Sequence, residues 1–130
     1  MPRKVNVPQP THAELEILRV LWRDGPRTVR EVHDRLERRD VGYTTVLKLM
    51  QIMVDKRLLK RDVASRSHVY EAAFPEREVK KRLVSDLLDR AFEGSALGLV
   101  MHALESRPAS ADELRQIRIL LDEIKTRGDA

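Results

Sequence analysis

The residues whose types and spacing can do chemistry sit together in Gly42-Tyr43-Thr44-Thr45-Val46-Leu47-Lys48. A helix that enters the major groove of duplex DNA needs short polar side chains at its N-terminal end and a longer donor one turn later. Tyr43, Thr44, Thr45 and Lys48 meet that description. Threonine offers a hydroxyl to a base edge or phosphate and a methyl to thymine, tyrosine reaches a phosphate, and lysine contacts guanine or the backbone. The plainer alternative is that Thr44 only caps the helix and Lys48 is an ordinary solvated charge. Further along, Arg61, Arg66 and His68 lie on or beside a turn-like segment, where they could touch phosphate or an adjacent minor groove, with Arg57 and Lys60 close by.

Catalytic chemistry finds no comparable grouping. His12, His33, His68 and His102 are scattered, with neither an HxH nor an HExxH spacing, and the chain has no cysteine. Thiolate metal sites, disulfides and cysteine nucleophiles are thereby excluded, and no metal or cofactor is expected. GxSxG, P-loop and GxGxxG patterns are all absent. The carboxylates alternate with basic residues, as in Glu31 with Arg35 and Asp34 with Arg38, and read as solvated i,i+4 pairs rather than general acids or bases. The expectation is a protein that is not an enzyme. Aromatic residues make up only 4% of the chain, which argues against single-stranded nucleic acid held by base stacking. Trp22 and Tyr70 read as packing residues.

The helical period supplies the elements that must position Tyr43 to Lys48. Thr11-His12-Ala13-Glu14 has the form of a capping box, followed by Leu15, Leu18, Leu21 and Trp22 at helical spacing and ended by Asp24-Gly25-Pro26. Thr28-Val29-Arg30-Glu31 repeats the capping pattern, with Val29, Val32 and Leu36 on one face up to Arg38-Arg39-Asp40. At about 100° per residue the next segment, Thr44 to Lys56, places Val46, Leu49, Met50, Met53 and Arg57 on a packed arc. Thr44, Lys48, Gln51 and Asp55 fall on the opposite, polar arc. Leu58 to Val63 loses the helical period, Ala64 to Ser67 is turn-like, and His68 to Ala72 is β-branched and aromatic, which together predict a two-stranded hairpin. Three short helices followed by a hairpin make a winged helix-turn-helix over residues 11–74, with Thr44 to Lys56 as its recognition helix. Residues 1–10, with three prolines and no periodicity, are expected to be a mobile arm carrying Arg3 and Lys4.

Residues 75–130 read differently. Val79, Leu83, Leu87, Leu88, Ala91 and Phe92 line one helix ended by Gly94; Leu97, Val100, Ala103 and Leu104 line a second, shorter one. Ser110-Ala111-Asp112-Glu113 opens a third helix, in which Leu114, Ile117, Leu121 and Ile124 recur at the a/d spacing of a helix seam. Three helices of this size make a thin core, so a second copy of the chain is the expected cover for their stripes, forming a homodimer. The fold class expected is mainly α with a small β-hairpin, an N-terminal winged helix-turn-helix plus a C-terminal three-helix dimerisation region. Charge follows the same division. The net charge is +4, and residues 1–75 carry 15 Lys and Arg against 10 Asp and Glu, whereas residues 76–130 carry 10 against 11. A basic module that binds a polyanion, joined to a near-neutral association module, has that asymmetry. No stretch is apolar enough for a membrane span, and the N-terminus lacks the hydrophobic region of a signal peptide, which reads as cytoplasmic.

The run Ala13 to Trp22 (AELEILRVLW), then Thr28 to Val32 (TVREV), Tyr43 to Val46 (YTTV), Leu58 to Arg61 (LLKR) and Val69-Tyr70 closely resembles the penicillinase repressor family, the BlaI, MecI and CopY type. The resemblance covers about residues 11–127. It implies a homodimeric transcriptional repressor in which each winged helix reads half of an inverted-repeat operator in double-stranded DNA. It also implies that Thr45 contacts a base, with Thr44 and Lys48 flanking it. Leu47 stands where one branch of the family has arginine, which implies one contact fewer and a different operator. The antibiotic-resistance branch is relieved of repression by a sensor-triggered cleavage at an Asn-Phe bond; His102-Ala103 occupies the matching place. The copper-responsive branch uses cysteines that this chain lacks. The operator, the inducing signal and any upstream sensor or protease are therefore not given by the resemblance. A protein-interaction module without sequence-specific DNA binding is the alternative, with Leu47 as its support.

Overall fold

A computed structural model describes residues 6–38, 40–64 and 66–128. In chain order these form α1 (His12–Asp24), β1 (Arg27–Thr28), α2 (Val29–Arg35), α3 (Tyr43–Asp55), β2 (Leu59–Asp62), β3 (Val69–Ala72), α4 (Glu76–Ala91), α5 (Ala96–Ser106) and α6 (Ala111–Gly128). The chain divides into two compact units, residues 1–86 and 87–130.

Local chemistry sets the first unit's helix ends. The Thr11 hydroxyl accepts from the Glu14 N–H, and the Thr11 N–H donates to the Glu14 carboxylate at 2.8 Å. Thr28 and Glu31 repeat this reciprocal arrangement at the start of α2. Gly25 ends α1 at φ 81 and ψ −171, a conformation that costs a side-chain-bearing residue about 1–3 kcal/mol. The α2 helix is shorter than its apolar period suggests, because Leu36 has turned to an extended ψ of 137°. Neither expected ion pair is seen among the described residues: Glu31 is occupied by its cap, and Arg38 lies beyond the end of α2. Instead Arg35 lies 3.5 Å from Asp24 and Arg38 lies 3.7 Å from Glu16, both on α1.

The sheet is antiparallel and has three strands rather than two, in the order β1-β3-β2. Sequence reasoning missed β1 because two residues carry no periodicity; Arg27 pairs with Tyr70 and Thr28 with Val69. On the other side of β3, Leu59 pairs with Ala72 and Arg61 with Tyr70. The core is built from Ile17, Leu18 and Leu21 of α1, Val32 of α2, and Val46, Met50 and Met53 of α3, closed by Leu58, Leu59 and Tyr70. Trp22 is half-buried at its edge, with Nε1 donating to the Phe74 carbonyl at 3.0 Å.

Two expectations need correction here. Residues 1–5, with Arg3 and Lys4, lie outside the described residues, but Asn6 to Pro10 is no free arm: Val7 and Pro10 are buried, and Val7 belongs to the core. The first unit also runs past Phe74. Val79 of α4 is fully buried in it and Leu83 packs against the same core, so Leu83 is not part of a free association stripe.

In the second unit, Gly94 at φ 79 donates its N–H to the Leu88 carbonyl and stops the helical run. Ser95 caps α5 and the Ser110 hydroxyl accepts from the Glu113 N–H at the start of α6. Neither α5 nor α6 has a buried residue. Among the described residues no helix is long and apolar enough to cross a membrane.

Candidate nucleic-acid interface

The packed side of α3 fixes which side chains face outward. With Val46, Met50 and Met53 buried, Tyr43, Thr44, Thr45, Lys48 and Gln51 are exposed. The helix starts one residue earlier than expected, and Gly42 takes the cap position with no side-chain hydrogen bond. Thr44 therefore does not cap α3. The first-turn N–H groups of α3 lack the side-chain acceptor that Thr11, Thr28 and Ser95 provide for α1, α2 and α5. Exposed hydroxyls beside uncapped amides at a helix N-terminus form a surface that favours phosphate oxygens and polar base edges.

The other end of α3 is anchored. Lys56 Nζ donates to Glu14 Oε1 at 2.6 Å and to the Gln9 carbonyl at 3.4 Å. Glu14 is 2% exposed. Burial alone would raise its pKa, but the Lys56 ammonium and the Thr11 donors outweigh this and hold the carboxyl below its ordinary value. Arg57, assigned to the packed arc by spacing, instead lies beyond the helix at φ 69 and is exposed. There Leu58 N–H bonds to the Met53 carbonyl and closes the helix end.

The turn before α3 is held by His33, whose Nε2 lies 2.8 Å from the Val41 carbonyl oxygen and whose ring meets the Tyr43 ring edge-on at 6.4 Å. Tyr43 in turn carries the Arg30 guanidinium, 5.0 Å from its ring centroid. Sequence reasoning passed over Arg30; the signal was its place next to Glu31 in the capping box, where a residue on the first turn of α2 faces away from Val29 and Val32.

Tyr43, Arg66 and His68 come together along one cleft, with Thr28, Arg30 and Leu47. Arg61 does not join them. It stands exposed on the edge strand β2, opposite Tyr70 in register. Tyr70 is 2% exposed and is a core residue, as expected. Among the described residues no three His, Asp or Glu converge to hold a metal ion.

Comparison with known proteins gives the arrangement a context. Residues 10–123 match the family model described as penicillinase repressor. The chain is 34% identical over 115 residues to the transcriptional regulator BlaI of Mycobacterium tuberculosis, covering 86% of this chain and 82% of that protein. It is 25% identical to the penicillinase repressor of Bacillus licheniformis, covering 93% and 95%. It is 19% identical to the methicillin resistance regulatory protein MecI of Staphylococcus aureus, covering 85% and 91%. In fold it is similar to the crystal structure of the transcriptional regulator Tm0710 of Thermotoga maritima, at a TM-score of 0.50 and 18% identity over 92% of this chain and 76% of that one.

Proposed function

The chain belongs to the penicillinase repressor family, and from that premise we propose that it is a transcriptional repressor that binds an inverted-repeat operator in duplex DNA as a homodimer. The observation that carries this reading is the N-terminal turn of α3. There Tyr43, Thr44, Thr45 and Lys48 are exposed around an end that no side chain caps. In the major groove, Thr45 and Lys48 read base edges, while Tyr43 and Thr44 hold the backbone. Arg66 and His68 reach the flanking phosphates from the wing, and Arg61 does so from its edge strand.

Pairing of two chains is supported by the second unit. Leu97, Val100, Leu121 and Ile124 are 47–70% exposed in the single chain, and Leu87 and Leu114 are exposed as well. Leu104 and Ile117 are half-buried beside them. Apolar helix faces of this extent are covered by another protein surface, and a two-fold pair covers both copies at once. The experiment is an electrophoretic mobility shift with DNA from upstream of the protein's own gene, titrated with salt. Binding that outlasts unrelated duplex competitor and weakens steeply as salt rises supports the reading; absent or salt-insensitive binding overturns it.

A further inference from the structure

The cleft between the first turns of α2 and α3 and the wing has a volume of about 380 Å3, and among the described residues no Asp or Glu lines it. Its cations are Arg30 and Arg66, with His68 beside them. Away from the cleft, Arg35 at the end of α2 pairs with Asp24, and Arg38 beyond that end pairs with Glu16. Arg30 instead rests on the Tyr43 ring. A cation over an aromatic face spends no hydrogen-bond donor on that contact, so the guanidinium is held in place with its N–H groups still available. The ring is itself fixed by His33, which the Val41 carbonyl holds. A pre-placed donor of this kind loses little side-chain freedom when an anion arrives.

We propose that this cleft is a second DNA-backbone site, in which Arg30, held by Tyr43, binds one phosphodiester together with Arg66 and His68. The inference rests on the DNA-binding reading above and adds a contact from α2 to those of α3 and the wing. The role of Tyr43 changes with it. Besides touching the backbone, the ring is the platform that aims Arg30.

The test uses the full chain and the duplex that the wild type binds. Affinity is measured against salt for wild type, Arg30→Ala, Arg30→Lys, Tyr43→Leu and the double variant Arg30→Ala with Tyr43→Leu. Arg30→Ala is expected to weaken binding roughly tenfold per half-site, equally on specific and unrelated duplex, and to flatten the salt slope by about 0.9 per half-site. Arg30→Lys keeps the slope and loses part of the affinity, because its point charge lacks the planar fork. Tyr43→Leu weakens binding, and adding it to Arg30→Ala costs much less than it does alone. An Arg30→Ala protein with unchanged affinity and slope overturns the inference while leaving the DNA-binding reading intact. Weaker binding at an unchanged slope also overturns it, since Arg30 then acts without neutralising a phosphate. Failure of the wild type to bind any duplex overturns the DNA-binding reading itself, and this inference with it.

Discussion

Thr45 and Lys48 sit one turn apart on α3, together on the exposed flank away from the buried Val46. Their exposure follows directly from that packing. They stood out in the sequence because a helix proposed to read a groove uses few kinds of side chain at its N-terminus. What the sequence left open was whether Thr44 was spent on capping, and the position of Gly42 answers this: cap preference predicts a threonine, but the cap falls two residues sooner. Arg30 was not legible, since its partner Tyr43 lies across the turn in another helix. Thr45→Ala and Lys48→Ala are each expected to cost about 1–3 kcal/mol of discrimination between operator and unrelated DNA, leaving the fold unchanged. Fluorescence anisotropy on both duplexes, with a thermal melt as control, measures this. A loss equal on both duplexes would assign Lys48 to phosphate rather than to bases.

At the scale of elements, the capping boxes of α1 and α2 were readable because they are local, three residues from cap to partner. The join between Glu14 and Lys56 was not, because it links residues 42 apart. It ties the C-terminal end of α3 to the first turn of α1. Lys56→Met leaves a buried carboxylate short of its strongest donor and is expected to cost roughly 1–3 kcal/mol in chemical denaturation. The pH dependence has a definite sign. The Glu14 carboxyl is held below its ordinary value of 4.5 in the folded protein, so its contribution is complete above that pH and is lost as pH falls through the folded value. Between neutral pH and pH 3, Glu14→Gln should therefore lose less stability than wild type. Equal losses in the two proteins would mean that Glu14 is not tied to Lys56 in solution. β1 and the early end of α2 were hidden for a related reason: long-range strand pairing and a turn in ψ at Leu36 leave no period in the sequence.

Over the whole molecule, the six helices and the order of the winged helix were legible from spacing, while the limit of the first unit was not. Pro75 looks like a boundary, yet Val79 completes the core behind it, because α4 begins as a wall of the first unit. Beyond Val79 not one described residue is buried in the single chain. In the homodimer proposed above, a second copy covers the apolar stripes of this unit. Leu121→Glu with Ile124→Glu is expected to give a monomer by sedimentation and to weaken operator binding about 100-fold or more, since linked half-sites gain that much from avidity. A dimer that persists in this variant would place the association surface elsewhere.

The central claim is that two winged helices read one operator through the first turn of α3. Nuclease footprinting of the full chain on DNA recovered by its own binding in cells tests this most directly. Two protected half-sites related by a dyad are expected, with centres about 10 base pairs or a multiple of that apart. Both should be lost together in the protein carrying Thr45→Ala and Lys48→Ala. A single unsymmetrical footprint, or protection that survives those substitutions, would contradict it.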